Sequence, residues 1–285
     1  MDSLNITKSI LSITSPGTHL VNNDDKLARR VTRECNEFAA DLKQRKPDRF
    51  GFWASLPLPD VEGSLEELAF SLDKLNADGV CMETNHHGVY LGDPKLEPVF
   101  AELNRRKSTI FIHPTSPHVL AHGGGCHSGN PLSQYPAPMF EFFFETARAA
   151  INLFLSGTVS RHPNITYVLS HAGGALPPLI ERFSSIPRML GLGIDVSPET
   201  VKKGLKQQFF FDLAGFPFPD QINGLLPHVT AAQLLYGTDY CYTPGSTVTE
   251  LASVMDERLK ELFPKEEDRR AVYVGNAMKL LKGKA

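Results

Sequence analysis

The sequence has few cysteines, and no two of them are spaced as CxxC. The four residues are Cys35, Cys81, Cys126 and Cys241. Their wide spacing argues against both a disulfide framework and a structural zinc knuckle. The first residues also lack the charged n-region, the long apolar h-region and the cleavage site of a signal peptide. We therefore expect a protein of a reducing compartment, with a cytoplasmic location.

Long apolar runs and an excess of one charge are missing as well. No stretch is apolar for long enough to span a bilayer, so no membrane span is expected. The 29 basic and 32 acidic residues are mixed along the chain and give a formal net charge of -3, which predicts no nucleic-acid partner. No GxGxxG motif follows a strand-like run, so no nicotinamide or flavin is expected. Small-molecule chemistry is the better interpretation.

Apolar, strand-like runs alternate with segments of helical period along the whole chain. The 285 residues suit a single α/β barrel, and we expect one domain over residues 1–285. Strands are predicted at 9–14, 50–56, 79–83, 109–113, 165–170, 208–213 and 232–237. Helices are predicted at 23–45, 64–75, 96–106, 140–156, from near 174, and at 220–225, 247–262 and 267–281. This alternation indicates a parallel sheet built from βαβ units.

One long irregular segment, residues 118–138, is rich in Gly, Pro and His. Loops of this length inside compact domains usually serve as lids or binding loops. We therefore place the segment on the top face of the barrel. Its histidines, His118, His122 and His127, are interpreted as residues of a solvated loop.

Three polar residues follow strand-like runs directly: His113 after TIFI, His171 after ITYVLS and Asp239 after LLYGT. Active sites of α/β barrels are built at the C-terminal ends of the strands. Two imidazoles and a carboxylate there suit a divalent cation. Each residue also has a simpler interpretation: His113 as a hydrogen-bonded structural residue, His171 as part of a tight turn, and Asp239 as the N-cap of a following turn.

Further candidates are predicted to contact a flat substrate. Trp53, near the end of a strand, is the better candidate for stacking, whereas Phe140, Phe143 and Phe144 follow a helical spacing that a buried helix face also explains. His86 lies beyond another strand end. Of the adjacent pair His86 and His87, only one would face the site, because neighbouring side chains of an extended chain point to opposite sides.

Four segments together resemble the amidohydrolase-related decarboxylases. They are FIHPTSP (111–117), PMFEFFFETARAAINLFLSG (138–157), YVLSHAGGALPPLIERF (167–183) and LLYGTDYCYTP (234–244). This metal-dependent branch of the amidohydrolase superfamily includes aminocarboxymuconate semialdehyde decarboxylases. The fungal 6-methylsalicylate decarboxylase-like proteins are the most similar, judging by SILSITSPG and GFWASLPLPD. The resemblance extends from about residue 6 to residue 281 and implies a (β/α)8 TIM-type barrel.

The resemblance also implies a site and a reaction. His113 and Asp239 match metal ligands, and His171 matches the catalytic histidine beside the metal, which is Zn²⁺ or, alternatively, Mn²⁺ or Mg²⁺. The metal would hold a small aromatic carboxylic acid, and Asp239 or His171 would protonate the ring carbon that loses CO2. Trp53, His86 and Phe143 would contact the substrate, and a homodimer is implied, as is a role in secondary metabolism.

The sequence departs from the family at the first strand, which normally supplies two metal ligands as His-x-His or Glu-x-His. No two histidines of this chain are separated by a single residue, and nothing upstream of residue 6 can form a strand. We therefore expect the first of eight strands to be missing, as in a shortened gene product. Alternatively, the barrel closes with seven strands or a neighbouring subunit fills the gap.

Two other functions stay open at this stage. The same barrel could hydrolyse a lactone or amide with a metal-activated hydroxide, as other branches of the superfamily do. It could also be an inactive homologue retained as a subunit partner, since the ligands of the first strand are absent.

Overall fold

The fold is a parallel sheet surrounded by helices, which fits a barrel of the α/β class. A computed structural model of the chain describes residues 1–120 and 126–282. Within these residues no helix is long and apolar enough to cross a membrane. The eleven strands described are β1 (Ser9–Leu11), β2 (Phe50–Ser55), β3 (Gly79–Glu83), β4 (Asn85–His86), β5 (Val89–Tyr90), β6 (Thr109–His113), β7 (His118–Leu120), β8 (Cys126–Ser128), β9 (Thr166–Leu169), β10 (Phe209–Asp212) and β11 (Leu234–Leu235).

Helices follow the strands of the main sheet in most units. Those described are α1 (Asp25–Arg45), α2 (Val61–Asp73), α3 (Glu97–Arg105), α4 (Glu141–Leu155), α5 (Thr158–Arg161), α6 (Ile180–Met189), α7 (Pro198–Gln208), α8 (Asp220–Leu225), α9 (Gly245–Leu262), α10 (Glu266–Arg270) and α11 (Asn276–Lys282). Side-chain oxygens cap several of their first turns: Asp60 accepts from the N–H of Gly63 at α2, and Ser197 forms a capping box at α7.

Seven strands form the main sheet in the order β1-β2-β3-β6-β9-β10-β11, with parallel pairing throughout. The prediction of seven βα units in one parallel sheet is therefore confirmed. β1 and β11 are the two end strands of this order, and each has one neighbour among the described residues. Parallel pairing brings the C-terminal ends of all seven strands to the same side.

The two faces of each strand have different surroundings. In β3, Val80 and Met82 belong to the large hydrophobic core that the sheet shares with its helices. Because successive side chains alternate, Gly79, Cys81 and Glu83 lie on the opposite, inner face. In β6 the same alternation puts Ile110 and Ile112 in the core and His113 on the inner face. The inner face therefore carries the polar strand-end residues.

The predicted loop at 118–138 contains more regular structure than expected. β7 and β8 pair antiparallel, with His118 opposite Ser128, and a second antiparallel hairpin joins β4 and β5. His122 lies outside the described residues, and so does the side chain of His127. The interpretation of the segment as wholly irregular is wrong, because alternate backbone groups of these short strands satisfy each other.

Candidate active site

Polar side chains at or after several strand ends form a group at the C-terminal side of the sheet. Its members are Thr14, Glu83, His113, His171, Asp212 and Asp239. Short contacts join Thr14 and Glu83 to His113, and Asp212 to the backbone of His171. The charges of His113 and His171 lower the pKa of Asp239, although burial raises it more. The three residues expected from the sequence therefore lie on the same side of the sheet.

His113 ends β6 and is held by contacts to both ring nitrogens. Nδ1 lies 2.7 Å from the carbonyl oxygen of Pro114, to which an N–H must donate. Nε2 lies 3.2 Å from the hydroxyl of Thr14 and, in this tautomer, accepts from it. Burial by itself would lower the pKa of His113, but Glu83, the Pro114 carbonyl and Asp239 together raise it above the ordinary value. In this tautomer Nε2 carries the lone pair of the ring, which here accepts from Thr14.

Glu83 is a member of the group that was not expected from the sequence. It is the last residue of β3, its Cα pairs with that of His113, and it is only 3% exposed. Its Oε2 lies 3.4 Å from His113 Nδ1, yet has no hydrogen-bond partner among the described residues, since that N–H is directed at Pro114. Burial raises the pKa of Glu83, and His113 partly offsets this. The sequence signal that could have identified Glu83 is an acidic residue at the end of a buried strand.

His171 lies in a tight turn directly after β9, as the HAGG sequence suggested. It has φ 53°, a left-handed conformation uncommon outside glycine, and Ala172 has φ 52°. The backbone N–H groups of His171 and Ala214 both donate to Oδ1 of Asp212, each at 3.0 Å. The ring Nδ1 lies 3.3 Å from the carbonyl oxygen of Ala214. The interpretation of His171 as part of a tight turn is therefore supported, and its ligand-facing role stays a prediction.

Asp212, the last residue of β10, is the second member missed from sequence. Through its two backbone hydrogen bonds it joins β10 to the turn that carries His171. Its negative charge also acts on Asp239, raising the pKa of that residue. The FFFD end of the strand carried the same signal as the end of β3: a carboxylate after a buried apolar run.

Asp239 follows β11 in a left-handed conformation with φ 54°. Partial burial raises the pKa of Asp239 above its ordinary value, an effect that His171 and His113 reduce and Asp212 increases. The N-cap of the next helix, α9, is Pro244. Asp239 does begin the turn that follows, since its carbonyl oxygen accepts from the N–H of Thr243 at 2.8 Å and its Oδ2 accepts from the Thr243 hydroxyl at 3.5 Å. The simpler interpretation as the cap of a turn therefore agrees with the structure, and the metal-linked role stays a prediction.

Aromatic rings from α4 flank the two histidines of the site. The ring centroid of Phe143 lies 5.6 Å from that of His171, and Phe142, which sequence reasoning missed, lies 6.2 Å from His113. Trp53 lies elsewhere: it is 8% exposed, and its Cα pairs with that of Gly79, at the opposite end of β3 from Glu83. The structure thus places Phe143 at the site and Trp53 within a strand, away from the strand ends.

His86 is buried in the β4–β5 hairpin and is 9% exposed, with no hydrogen-bond partner for Nε2 among the described residues. Burial, together with His87 and His19, lowers its pKa to about 3. The Nε2 of His87 lies 3.0 Å from Nδ1 of His19, whose Nε2 contacts Asp25 at 3.0 Å. The expected opposite orientation assumes an extended chain, whereas His87 has φ 50°, so it stays a prediction.

The donor types of the site suit a divalent metal. Across residues 1–120 and 126–282, no group of three or more His, Cys, Asp or Glu is already arranged around a common metal position. Nevertheless, imidazole and carboxylate donors such as His113 and Asp239 are those that Zn²⁺ and Mn²⁺ accept. The buried, unpartnered oxygen of Glu83 beside them is a further sign that a positive charge is accommodated here.

The sequence profile described as amidohydrolase matches residues 15–283. Among curated proteins, decarboxylase macB of Penicillium terrestre is 35% identical over 277 residues, which cover 95% of this chain and 80% of the relative. The 6-methylsalicylic acid decarboxylase acuB of Aspergillus aculeatus is 34% identical over 269 residues, covering 91% of this chain and 78% of the relative.

Solved structures show the same architecture. A crystal structure of an amidohydrolase II has a TM-score of 0.86 and 29% identity, covering 99% of this chain and 86% of the other. A 2,6-dihydroxybenzoate decarboxylase from Rhizobium has a TM-score of 0.83 at 22% identity, covering 100% and 87%. At that identity the likeness concerns the fold, and it supports the barrel class predicted from the alternation of strands and helices.

Proposed function

This chain belongs to the amidohydrolase family, and from that premise we propose that it is a metal-dependent, non-oxidative decarboxylase of a small aromatic acid of the 6-methylsalicylate type. The observation that carries the proposal is that His113, His171 and Asp239 all lie at or just after the C-terminal ends of strands of one parallel sheet. The names of its fungal relatives support the substrate class.

His113 and Asp239 would hold the metal. When bound, the metal would fix the substrate carboxylate and withdraw charge from it. Phe143, packed against His171, would border the flat ring. We propose that His171 or Asp239 delivers a proton to the ring carbon that carries the carboxylate. The carbon–carboxylate bond then breaks, its electron pair restores the aromatic ring, and CO2 leaves, so that the acid becomes the corresponding phenol.

The test is product analysis with purified protein and one added metal at a time. With 6-methylsalicylate we expect release of CO2 and formation of the corresponding phenol in equal amounts. The methyl ester of the same acid is the matched control, because it cannot lose CO2 without prior hydrolysis. Turnover of the ester to the free acid, with no CO2 from either compound, would instead support the hydrolase alternative.

We also propose which metal the site binds. Two solved structures of similar fold contain bound manganese. This supports the proposal that the present chain binds a divalent metal. We keep Zn²⁺ as the proposed ion, since imidazole and carboxylate ligands suit it, with Mn²⁺ and Mg²⁺ as alternatives. Elemental analysis of protein expressed without added metal distinguishes them.

The eighth strand of the barrel is a further part of the proposal. Among the described residues, β1 pairs with β2 and β11 with β10. We propose that the eighth strand position of the family barrel, with its two ligands, lies between β1 and β11. A stoichiometric metal in this chain by itself would show that these two ligands are not needed.

On the family resemblance, we propose that the chain forms one domain, assembles as a homodimer and is located in the cytoplasm. We also propose a role in secondary metabolism. Light scattering at several protein concentrations tests the dimer. Limited proteolysis tests the single domain, and cell fractionation tests the location. Disruption of the gene followed by metabolite profiling tests the pathway class.

A further inference from the structure

Two buried glutamates of this chain have opposite surroundings. Glu67 of α2 is fully partnered: Oε1 accepts from Asn36 and Ser71, and Oε2 accepts from Arg33. Glu83 is equally buried, but its Oε2 accepts no hydrogen bond from the described residues. A buried carboxylate oxygen without a hydrogen bond is unfavourable for folding, so stability alone does not account for Glu83 at this position.

The position of Glu83 supplies that reason. Register pairs it with His113 on the neighbouring strand, and the two side chains share the inner face. Its Oε2 lies 3.4 Å from Nδ1 of His113. On the other side, Gly17 leaves little space, since a Cβ at that glycine would lie 3.2 Å from Cγ of Glu83. The carboxylate is therefore kept against the Nδ1 edge of the ring.

The Nδ1–H of His113 thus has two negative neighbours, the Pro114 carbonyl at 2.7 Å and the Glu83 carboxylate. Both favour the tautomer with the proton on Nδ1, in which Nε2 carries the lone pair. In the metal-free chain this lone pair accepts from Thr14 at 3.2 Å, and a bound metal would take the place of that hydrogen bond. Histidines that bind metals usually donate their other N–H to a carboxylate or a carbonyl, and this fixes the ring and makes it a better ligand. Here a carbonyl and a carboxylate are both present.

We propose that Glu83 is a positioning residue of the metal site, which holds His113 with Nε2 directed at the metal. This inference rests on the proposed metal dependence and adds to it a residue outside the expected ligand set. In this role the unfavourable burial of Glu83 is offset when a cation binds nearby, so the residue weakens the metal-free protein and strengthens the metal-bound one.

The experiment compares Glu83→Gln with Glu67→Gln, both close in shape to glutamate. Binding of Mn²⁺ to the wild-type protein and to each variant is titrated by electron paramagnetic resonance. We expect Glu83→Gln to weaken binding about 10–100-fold, the usual effect of losing such a partner, and Glu67→Gln to leave it unchanged. Nitrogen NMR of His113 in the metal-free protein should show a smaller population of the Nδ1–H tautomer in Glu83→Gln only.

Thermal unfolding of the metal-free proteins gives a readout that is independent of metal binding. Removal of the unpartnered charge in Glu83→Gln should raise Tm by about 2–4 °C, whereas Glu67→Gln, which loses bonds to Arg33, should lower it. Unchanged Mn²⁺ affinity in Glu83→Gln, or equal losses in both variants, would overturn the role of Glu83. If the wild-type protein binds no Mn²⁺, Zn²⁺ or Mg²⁺, the proposed metal dependence itself fails, whatever the variants do.

Discussion

Asp239 is the residue on which the proposed chemistry depends most directly. It is the carboxylate that both His113 and His171 influence. Replacing it by asparagine keeps the shape but removes the charge and the proton that can be exchanged. We expect Asp239→Asn to lower the rate of CO2 release about 10²–10⁴-fold, the range usual for a general acid or base.

The rate is measured as kcat with saturating metal and substrate. Asp195→Asn serves as the control, since Asp195 is an exposed aspartate on the loop between α6 and α7. A rate for Asp239→Asn within a few-fold of the wild-type rate would remove Asp239 from the mechanism and leave His171 as the proton donor.

His86 is a buried histidine that should make the fold sensitive to acid. Its pKa is lowered to about 3 in the folded chain, from an ordinary value of 6.5. Between these values the unfolded chain binds a proton that the folded chain does not, so the free energy of unfolding falls as the pH falls from about 6.5 towards 3. Its contribution to this slope is at most about 1.4 kcal/mol per pH unit.

We therefore expect His86→Gln to flatten the decline in the free energy of unfolding over this pH range. Urea unfolding at a series of pH values measures it, with His118→Gln, a half-buried histidine of β7, as the control. The same slope in His86→Gln as in the wild-type protein would show that other groups cause the acid sensitivity.

At the scale of elements, the contact between α4 and the turn after β9 positions the site. A Cβ at Gly174 would lie 2.6 Å from the backbone oxygen of Phe143, and Gly174 has φ 58°. Gly191 also has positive φ, 64°, but has nothing within 4 Å. Gly174→Ala should therefore combine backbone strain with a clash, whereas Gly191→Ala has the strain alone, about 1–3 kcal/mol.

We expect Gly174→Ala to lower the free energy of unfolding clearly more than Gly191→Ala does, and to lower kcat as well, because Phe143 must move relative to His171. Chemical unfolding and CO2 release measure the two effects. Equal losses of stability in the two variants would mean that α4 adjusts freely to the turn.

The elements show why some features of the fold were predictable. The run at 109–113 was predicted to the residue, because a short β-rich apolar stretch between polar segments has few alternatives. The strand predicted at 232–237 is shorter in the structure, where it spans Leu234–Leu235. The ends of a strand depend on neighbouring strands, which periodicity does not reveal. Helix α7 was missed: its sequence is mostly polar, and it is the packing of Val201 and Leu205 on the core that holds it.

The candidate site, like the fold, was predictable in part from the sequence. His113, His171 and Asp239 stand out because three strand ends share the same pattern and their motifs resemble a family. Glu83 and Asp212 carry weaker signals, since acidic residues are common after strands and only the register brings them to the histidines. Trp53 was expected near a strand end, but the register assigns it to the level of Gly79, which local sequence does not reveal.

For the whole molecule, metal binding should be visible as stability. A ligand that binds only the folded chain raises the free energy of unfolding by about 2.7 kcal/mol at a concentration one hundred times its Kd. Burial raises the pKa of Asp239, and the negative charge of Asp212 adds to the rise, so both effects disfavour the charged carboxylate until a cation binds. We therefore expect Mn²⁺ or Zn²⁺ to raise Tm and EDTA to reverse the rise.

The measurement is thermal unfolding across a metal titration, with His113→Asn and His162→Asn compared. His162 is a buried histidine that contacts Glu97 on the helical side of the sheet, so its loss should lower Tm equally with and without metal. Loss of His113 should abolish the rise caused by the metal. If the rise persists in His113→Asn, the stabilising metal binds elsewhere on the molecule, and the inner face of the sheet is not its site.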